Sequence, residues 1–415
     1  MKLYLVGIKG TGMSALARIL SDLGHQIKGT DYDEAFFTED SKLDRIWEPF
    51  SKFKLDDSYF YIIGNAFINH PLSKKIIHSQ CKYMFYPEFL DSFFNGTKIA
   101  VAGTHGKTTP TKFISQLIDS TYLIGDGEGK GNKYSKYFLF EACEYRNTFL
   151  NYHPQIAIIT NIDFDHPDFY KDIKAYKESF FKFAEQVNLL IYNGDDSLLK
   201  ELNHRNSISF GLNENNDYSC RYEVVEKGYK LYITHEAQID EIFFPHFGLH
   251  NIYNFLATYV LTVTLNIDKK NIKQITRNLL LPKRRFEEIM IGSNCIICDY
   301  AHHPTEIKSF YDALRLKYPQ KKKILIFEPH TFSRTKAFYN QFKESFSLFD
   351  KVYLCDIFSS IREKQSDEKY FQEYLHYSLK IFKNQKINDA CFCFLGAGIN
   401  DKNYQELANY LKIRE

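Results

Sequence analysis

The stretch Gly103-Thr104-His105-Gly106-Lys107-Thr108-Thr109 decides the interpretation of the whole chain. It follows an apolar run at residues 98–102 and precedes residues 110–118, which can form a helix. A strand, a glycine-rich turn and a helix N-terminus bind phosphates, because backbone N–H groups and the positive end of the helix dipole face the anion. In such loops the lysine reaches the β- and γ-phosphates and the next hydroxyl ligates Mg²⁺. We predict a nucleotide-binding loop, although Val101 replaces one glycine of the full pattern and a turn that binds nothing is the alternative.

A second glycine-rich loop, Gly7-Ile8-Lys9-Gly10-Thr11-Gly12, lies near the N-terminus. It follows a short apolar run and precedes residues with helical spacing, and the next strand ends in Asp31. This is the layout of a dinucleotide-type βαβ unit, in which glycines let the backbone approach a pyrophosphate. Because the glycine spacing departs from the usual pattern, we predict a pyrophosphate-containing ligand without choosing a nicotinamide or a flavin. Asp31 is expected to accept from a ribose or base and Asn65 to face the same ligand, with an empty loop as the alternative.

Polar residues also follow the apolar strands of the central region. Glu141 ends one such strand and is the better candidate to hold Mg²⁺, directly or through water, with Glu144 next. Asp165 and His166 follow another strand and could ligate a second metal ion, since the strand ends of an α/β sheet form its ligand-binding crevice. A surface carboxylate and a structural histidine are the alternatives.

Two further groups of polar residues point to ligand contacts. His250, Asn251 and Asn254 fall within one turn of a helix, where they could cap the helix or offer amides to a base. The last third alternates strands with helical stretches, which indicates a second Rossmann-like layer. The residues just past its strand ends, which together could bind a carboxylate and steer an amine, are His302, His303, His330 and Arg334.

Composition limits the class of protein. At 415 residues the chain exceeds a typical domain, and 44% apolar with 25% charged residues is usual for a globular protein. A net charge of +2 gives no support for nucleic-acid binding, and the apolar runs are too short to cross a bilayer. We therefore expect a cytoplasmic protein without a signal peptide. The eight cysteines do not form a disulfide framework, and Cys295 and Cys298 are expected in a core strand.

In their order and spacing, the motifs resemble the Mur ligases, the ATP-dependent amide-forming enzymes of peptidoglycan precursor synthesis. The resemblance covers nearly the whole chain. It rests on Gly7-Ile8-Lys9-Gly10-Thr11-Gly12-Met13-Ser14, Gly103-Thr104-His105-Gly106-Lys107-Thr108, Glu141-Ala142-Cys143-Glu144, Thr160-Asn161-Ile162-Asp163-Phe164-Asp165-His166, His250-Asn251, Arg284-Arg285-Phe286, Asp299-Tyr300-Ala301-His302-His303-Pro304 and Pro329-His330-Thr331-Phe332-Ser333-Arg334-Thr335.

The resemblance implies three α/β domains. They would be a Rossmann-like UDP-substrate domain at 1–97, a P-loop ATPase-like domain with a mostly parallel sheet at 98–281, and a Rossmann-like amino-acid-binding domain at 282–415. Similarity to the alanine-adding branch implies a ligase that joins L-alanine to the carboxylate of UDP-N-acetylmuramate through an acyl phosphate. It would use ATP and Mg²⁺, bind no nucleic acid, insert into no membrane, and be a monomer or weak homodimer. The alternatives are the branch that attaches a recycled tripeptide and, from another class, an NAD-dependent dehydrogenase.

The resemblance also implies roles for single residues. The catalytic residues would be Lys107, Glu141, His166, His303 and Arg334, and the metal ligands would be Thr108, Glu141 and His166. ATP would be bound by Gly103, Thr104, His105, Gly106, Lys107, Thr108, Thr109, Asn251 at the adenine and Asp299 at the ribose. The substrates would contact Gly7, Lys9, Gly10, Thr11, Gly12, Asp31, Asn65, His105, His330 and Arg334. Thr331, where some alanine ligases carry an arginine, and Asn400 depart from the family pattern, and Thr331 gives more weight to Arg334 as the carboxylate clamp.

Overall fold

The computed structural model describes residues 1–32, 38, 43–358, 370–383, 388–398 and 400–414. Within these residues the chain forms three sheets that follow one another along the sequence. The strands of the first sheet lie within residues 2–85, those of the second within 97–244 and those of the third within 287–396. The prediction of a three-domain α/β fold with mostly parallel sheets is confirmed, whereas the limits at 97/98 and 281/282 stay predictions. In this part of the chain, no helix combines the length and the apolar character needed to cross a membrane.

The first sheet has the strand order β3-β2-β1-β4-β5, and its described pairs are parallel. Its elements are β1 (Lys2–Val6), α1 (Thr11–Asp22), β2 (Gln26–Asp31), β3 (Trp47–Pro49), β4 (Phe60–Ile63), α2 (Pro71–Ile77), β5 (Tyr83–Phe85) and α3 (Tyr86–Phe93). The central strand β1 is buried from Leu3 to Val6, as in parallel sheets covered on both faces. Since α1 begins at Thr11, within the N-terminal glycine loop, and leads to β2, which is parallel to β1, the predicted βαβ unit is confirmed.

The second sheet has the order β15-β14-β13-β12-β11-β10-β6-β9-β7-β8. Its elements are β6 (Thr97–Ala102), α4 (Thr108–Leu117), β7 (Thr121–Leu123), β8 (Gly129–Lys130), β9 (Tyr137–Glu141), β10 (Ile156–Ile159), α5 (Ile173–Glu185), β11 (Leu189–Asn193), β12 (Ser207–Gly211), β13 (Tyr218–Val225), β14 (Gly228–His235), β15 (Gln238–Phe244), α6 (Leu249–Thr264) and α7 (Lys269–Thr276). Strands β13 to β15 pair antiparallel with one another, in the part of the chain where polar and apolar residues alternate.

The third sheet has the order β16-β17-β21-β18-β19-β20, with only the β16–β17 pair antiparallel among the described strands. Its elements are β16 (Glu287–Ile291), β17 (Asn294–Asp299), α8 (Pro304–Lys317), β18 (Lys322–Glu328), α9 (Phe332–Ala337), α10 (Tyr339–Phe346), β19 (Lys351–Leu354), β20 (Leu375–His376), α11 (Leu379–Lys383), β21 (Ala390–Gly396) and α12 (Asn400–Arg414). Cys295 and Cys298 are buried in β17, which confirms their assignment to a core strand.

The register of the second sheet brings three polar segments to one edge. Strand β6 pairs in parallel with β10 on one side and β9 on the other, with Ala102 opposite Ile159 and Val101 opposite Glu141. Parallel strands end at the same edge of a sheet, where α/β proteins bind their ligands. The loop at 103–109, the residues from Glu141 onward and those after Ile159 therefore converge.

Candidate active site

The loop at 103–109 packs too closely against its neighbours to carry side chains at two positions. Gly103 has φ +137° and Gly106 has φ +73°, both in the left-handed region that favours glycine. A Cβ atom on Gly103 would lie 2.0 Å from Thr160 Oγ1, and one on Gly106 would lie 2.6 Å from Asn254 Oδ1. The backbone of the loop is thus held directly against the end of β10 and the first turns of α6.

Lys107 is folded over this loop. Its Nζ donates to the carbonyl oxygens of Gly103 at 2.6 Å and Thr104 at 3.0 Å. Nζ also lies 2.9 Å from Glu144 Oε2, and only 16% of the lysine side chain is exposed. Burial lowers the pKa of Lys107, but the charge and hydrogen bond of Glu144, together with the nearby Cys143 and Glu141, outweigh burial and raise it above its usual value. Lys107 is therefore a cation at neutral pH.

Glu144 connects Lys107 to His166. The carboxylate is 2% exposed, and its Oε1 lies 3.4 Å from His166 Nε2. Burial raises the pKa of Glu144, but the charges of Lys107 and His166 overcome this effect and bring it to about 2. His166 itself has φ +56°, a backbone conformation that is uncommon for a residue with a side chain. The sequence favoured Glu141 over Glu144 as the residue that holds Mg²⁺. In the structure, Glu144 lies between Lys107 and His166, at the centre of a row of charged side chains.

Glu141 lies beside the hydroxyl that the sequence assigned to Mg²⁺. Thr108 Oγ1 donates to Glu141 Oε2 at 3.2 Å, and the Gly125 N–H donates to Oε1 at 2.5 Å. Burial raises the pKa of Glu141 to about 7. A hydroxyl and a carboxylate side by side are oxygen ligands of the kind that Mg²⁺ prefers. The structure thus brings Thr108 and Glu141 together, while His166, the third predicted ligand, contacts Glu144.

A cavity of about 170 Å³ lies between the central and C-terminal domains and is lined by the loop, α6 and the residues after β17. Asn251 and Asp299, the predicted adenosine contacts, both line it. Asn251 Nδ2 donates to Phe247 O at 2.8 Å, and the buried Asp299 accepts two backbone N–H groups. His250 Nδ1 is buried there without a hydrogen-bond partner among the described residues, and burial lowers the pKa of His250 to about 4. A buried neutral imidazole nitrogen without a partner is suited to form a hydrogen bond with a polar edge of a bound ligand.

A larger cavity of about 620 Å³ lies on the other side of the loop. All three domains line it: Arg18 comes from the first, Lys107 and Glu141 from the central one, and His302 from the third. Arg18 Nη1 also donates to Gly127 O at 2.7 Å, which docks the β7–β8 hairpin onto α1. Lys107, at one end of the charged row, therefore faces a space large enough for a substrate held between domains.

His105 links the loop to the C-terminal domain. Its Nε2 lies 3.0 Å from Asp163 Oδ2, and its Nδ1 lies 3.4 Å from Glu306 Oε1 in α8. Burial lowers the pKa of His105, but the two carboxylates outweigh it and raise the value to about 9. Thr305 Oγ1 adds a hydrogen bond of 2.7 Å to Asp163 Oδ2. An imidazolium between two carboxylates therefore joins the two domains.

His303 is buried beside this contact, with its ring centroid 4.8 Å from that of His105. Its Nδ1 lies 3.7 Å from Asp163 Oδ2, and burial lowers its pKa to about 4. His105, Asp163 and His303 each place one possible ligand atom within 4.8 Å of the others. Because the His105 imidazolium already neutralises Asp163, we assign His105 and Asp163 to an ion pair, with the His303 ring packed against His105.

Arg334 is also buried at the domain junction. Its Nε lies 3.0 Å from Asp165 Oδ1 and its Nη2 lies 3.1 Å from Asp165 Oδ2. Nη1 lies 3.0 Å from His330 Nδ1, and the His302 and His330 rings are 5.7 Å apart. The predicted acceptor residues His330 and Arg334 are thus adjacent, and His302 connects them to the larger cavity.

Asp31 stabilises the N-terminal glycine loop through hydrogen bonds to the backbone. Its two carboxylate oxygens accept the N–H groups of Lys9 and Tyr32, each at 2.8 Å. Lys9 is 1% exposed, and its Nζ lies 3.4 Å from the centroid of the Trp47 ring. Asn65 Nδ2 donates to Thr148 Oγ1 at 3.4 Å. Asp31 therefore shapes the loop, and its contact with a ribose stays a prediction.

Three family models match the chain in sequence order. They are the Mur ligase family, catalytic domain, at residues 2–44, the Mur ligase middle domain at 128–262, and the Mur ligase, glutamate ligase domain at 284–385. A UDP-N-acetylmuramate–L-alanine ligase of Lactiplantibacillus plantarum is 42% identical over 379 residues, which cover 88% of this chain and 86% of the relative. The chain belongs to the Mur ligase family.

Solved Mur ligases share the fold at lower identity. The UDP-N-acetylmuramate–alanine ligase of Thermotoga maritima superimposes with a TM-score of 0.81 at 19% identity, covering 100% of both chains. A murein peptide ligase of Psychrobacter arcticus gives a TM-score of 0.69 at 19% identity over 99% of both chains. The MurF ligase of Thermotoga maritima, solved with ADP, gives 0.66 at 16% identity over 97% of this chain and 99% of that chain.

Sequence reasoning did not single out Glu306, which this Mur ligase uses to join its central and C-terminal domains. Glu306 accepts the N–H groups of His302 and His303 as the N3 residue of a capping box on α8, and it also faces His105. The capping box is visible as a glutamate three residues after His303. Nothing in the sequence pairs Glu306 with a residue two hundred positions earlier, because that contact depends on domain docking.

Proposed function

We propose that this Mur ligase joins L-alanine to the carboxylate of UDP-N-acetylmuramate, with cleavage of ATP to ADP and phosphate. The observation that carries the proposal is the 42% identity, over 88% of the chain, to a UDP-N-acetylmuramate–L-alanine ligase. The cavity of about 620 Å³, lined by all three domains, supports it, since the reaction must bring a nucleotide sugar, ATP and an amino acid together. We propose a cytoplasmic location, since the proposed reaction consumes ATP and a sugar nucleotide.

The reaction needs two substitutions, because a carboxylate does not react with an amine in water. A carboxylate oxygen of the sugar nucleotide first bonds to the γ-phosphorus in line, and the bond to the bridging oxygen breaks as ADP leaves. The uncharged amine of alanine then bonds to the acyl carbon, phosphate leaves with the C–O electron pair, and the nitrogen loses a proton. Catalysis of the first step is mostly positioning and charge neutralisation.

A row of charged side chains beside the loop supplies both the positioning and the charge neutralisation. It consists of Lys107, Glu144 and His166. Lys107 is a buried cation at the cavity wall, where it would neutralise charge on the transferred phosphoryl group. Glu144 holds the ammonium at 2.9 Å, and this contact limits the positions that the flexible side chain can take. The backbone N–H groups at the start of α4 add the positive end of a helix dipole. Enclosure by three domains would exclude water from the acyl phosphate.

Thr108 and Glu141 fit a bound Mg²⁺ by their chemistry, since their oxygens lie 3.2 Å apart beside the loop. When bound, Mg²⁺ supplies positive charge that offsets the charge of the phosphates. Burial of the Glu141 carboxylate beside a hydroxyl donor supports this assignment. His166 stays our proposed ligand for a second ion, close to Glu144.

The remaining substrates are assigned to the three domains. Asn251 and Asp299 would contact the adenosine of ATP in the smaller cavity, where the unpartnered His250 Nδ1 offers a further polar contact. His330 and Arg334 would receive the carboxylate of alanine, with His303 nearby. The loop at Gly7–Gly12 would bind the UDP pyrophosphate.

The decisive experiment compares acceptors. Purified protein is mixed with ATP, Mg²⁺ and UDP-N-acetylmuramate, and phosphate release is measured with L-alanine or with the tripeptide that murein peptide ligases attach. We expect release with L-alanine, and a Lys107→Ala control should lose it. Turnover with the tripeptide alone would replace our proposal by a recycling ligase. Full phosphate release by Lys107→Ala would show instead that Lys107 is dispensable for the cleavage of ATP.

A further inference from the structure

Asp165 and Arg334 form a buried ion pair between two domains. Asp165 follows β10 in the central domain, and Arg334 lies in α9 of the C-terminal domain. The two contacts, at 3.0 and 3.1 Å, use the Nε and Nη2 edge of the guanidinium and both carboxylate oxygens. Each side chain is 7% exposed, so this contact lies inside the domain junction.

The geometry fixes the plane of the guanidinium from two sides. A bidentate contact holds both position and rotation, which a single hydrogen bond does not do. On the other side, Nη1 of Arg334 lies 3.0 Å from His330 Nδ1 and 3.2 Å from His330 O. A residue of the central domain therefore holds one edge of the Arg334 guanidinium, and a residue of the C-terminal domain holds the other.

Asp165 is also the direct neighbour of His166 in the chain. The His166 N–H donates to Asp165 Oδ1 at 2.7 Å, and the His166 side chain contacts Glu144, which in turn holds Lys107. One turn thus connects the phosphate side of the site with the arginine on the acceptor side. The distance between the two halves of the site depends on this turn.

Stability alone gives a weak reason for such a pair, since apolar replacement of a buried ion pair is often neutral or stabilising. We propose that Asp165 is a positioning residue that orients Arg334 for the acceptor carboxylate, so that the acceptor site is complete only when the C-terminal domain is docked on the central domain. This inference rests on the proposed function.

The test compares an acceptor that has a carboxylate with an acceptor that has none. L-Alanine has a carboxylate, whereas hydroxylamine is a small nucleophile without a carboxylate. With hydroxylamine the nitrogen bonds to the acyl carbon, phosphate leaves with the C–O electron pair, and the nitrogen loses a proton to give a hydroxamate. ADP release is measured with each acceptor for wild type, Asp165→Asn and the control Asp172→Asn. Asp172 caps α5 in the same domain by accepting the Ala175 N–H at 2.9 Å.

For Asp165→Asn we expect the KM for L-alanine to rise by about tenfold or more, because the amide carries no charge and offers the guanidinium one acceptor oxygen instead of two. Turnover with hydroxylamine and the KM values for ATP and the sugar nucleotide should stay within about twofold of wild type, since the amide still accepts the His166 N–H. Asp172→Asn should leave all values within that range.

Two outcomes would overturn the inference. An unchanged KM for L-alanine would show that Asp165 does not orient the acceptor site. An equal loss with alanine and hydroxylamine would assign Asp165 to phosphoryl transfer or to folding. If wild type releases no ADP with either acceptor, the proposed function itself fails, and that result is distinguishable because it does not depend on the variant.

Discussion

Replacing His105 by glutamine should destabilise the protein in a pH-dependent manner. The two carboxylates beside the imidazole, Asp163 at 3.0 Å and Glu306 at 3.4 Å, raise its pKa from 6.5 to about 9 against the effect of burial. At about 1.4 kcal/mol per pH unit, this corresponds to about 3 kcal/mol of folding free energy. The side chain is 14% exposed, so solvent screens the contact only weakly.

The direction of the pH dependence follows from the fact that the raised pKa belongs to the folded state. Below pH 6.5, the usual value, the imidazole is charged in the folded and unfolded states, and only the folded state provides carboxylate partners. The contribution is therefore complete there and is lost as the pH rises through about 9. Urea unfolding of wild type and His105→Gln should differ by about 3 kcal/mol near pH 6 and by less than about 1 kcal/mol near pH 10.

A matched control is available at the surface. His153 pairs with Asp91 at 3.0 Å, but the histidine side chain is 63% exposed. His153→Gln should change the unfolding free energy by less than about 1 kcal/mol at either pH. The reasoning would be refuted if His105→Gln cost as little as His153→Gln near pH 6, or if its cost did not shrink toward pH 10.

Three further variants test the site. Glu144→Gln should lower the unfolding free energy by about 3–5 kcal/mol, because it leaves the buried Lys107 cation without its counter-ion; urea unfolding measures this loss, and a change below about 1 kcal/mol would contradict the ion pair. Glu141→Ala should lose Mg²⁺-dependent turnover while keeping the affinity for the sugar nucleotide, measured by calorimetry, and unchanged turnover would remove Glu141 from the metal site. Gly103→Ala should abolish ADP binding in calorimetry, since its Cβ would lie 2.0 Å from Thr160 Oγ1, and normal affinity would show that the loop can shift.

Local features of the fold were accessible from the sequence. The strand, glycine turn and helix around Lys107 depend on residues that are neighbours in the chain, and the structure confirms β6 and α4 on either side of the loop. The parallel pairing of β6 with β9 and β10 follows from the alternation of strands and helices. Parallel strands end at one edge, so the convergence of Glu141 and His166 near the loop was also predictable.

The sequence did not predict which carboxylate of the site pairs with which cation. Glu141 and Glu144 are separated by two residues and are chemically identical. Burial raises the pKa of Glu141 to about 7 against the lowering effects of the Gly125 N–H and Lys107, whereas Lys107 and His166, against the effect of burial, bring that of Glu144 to about 2. No local pattern distinguishes the two carboxylates, because the difference arises from the charges of Lys107 and His166, which follow two other strands of the sheet.

The sequence by itself predicted the glycine-rich loops, the strands and the helix caps, because these features depend on near neighbours, and the family pattern supplied the proposed site residues. Only the tertiary structure decided how those residues pair across domains. Asp165 with Arg334 and His105 with Glu306 join positions far apart in the chain. Such contacts form only when two separately folded sheets dock, and burial at that junction then sets the strength of each charge interaction.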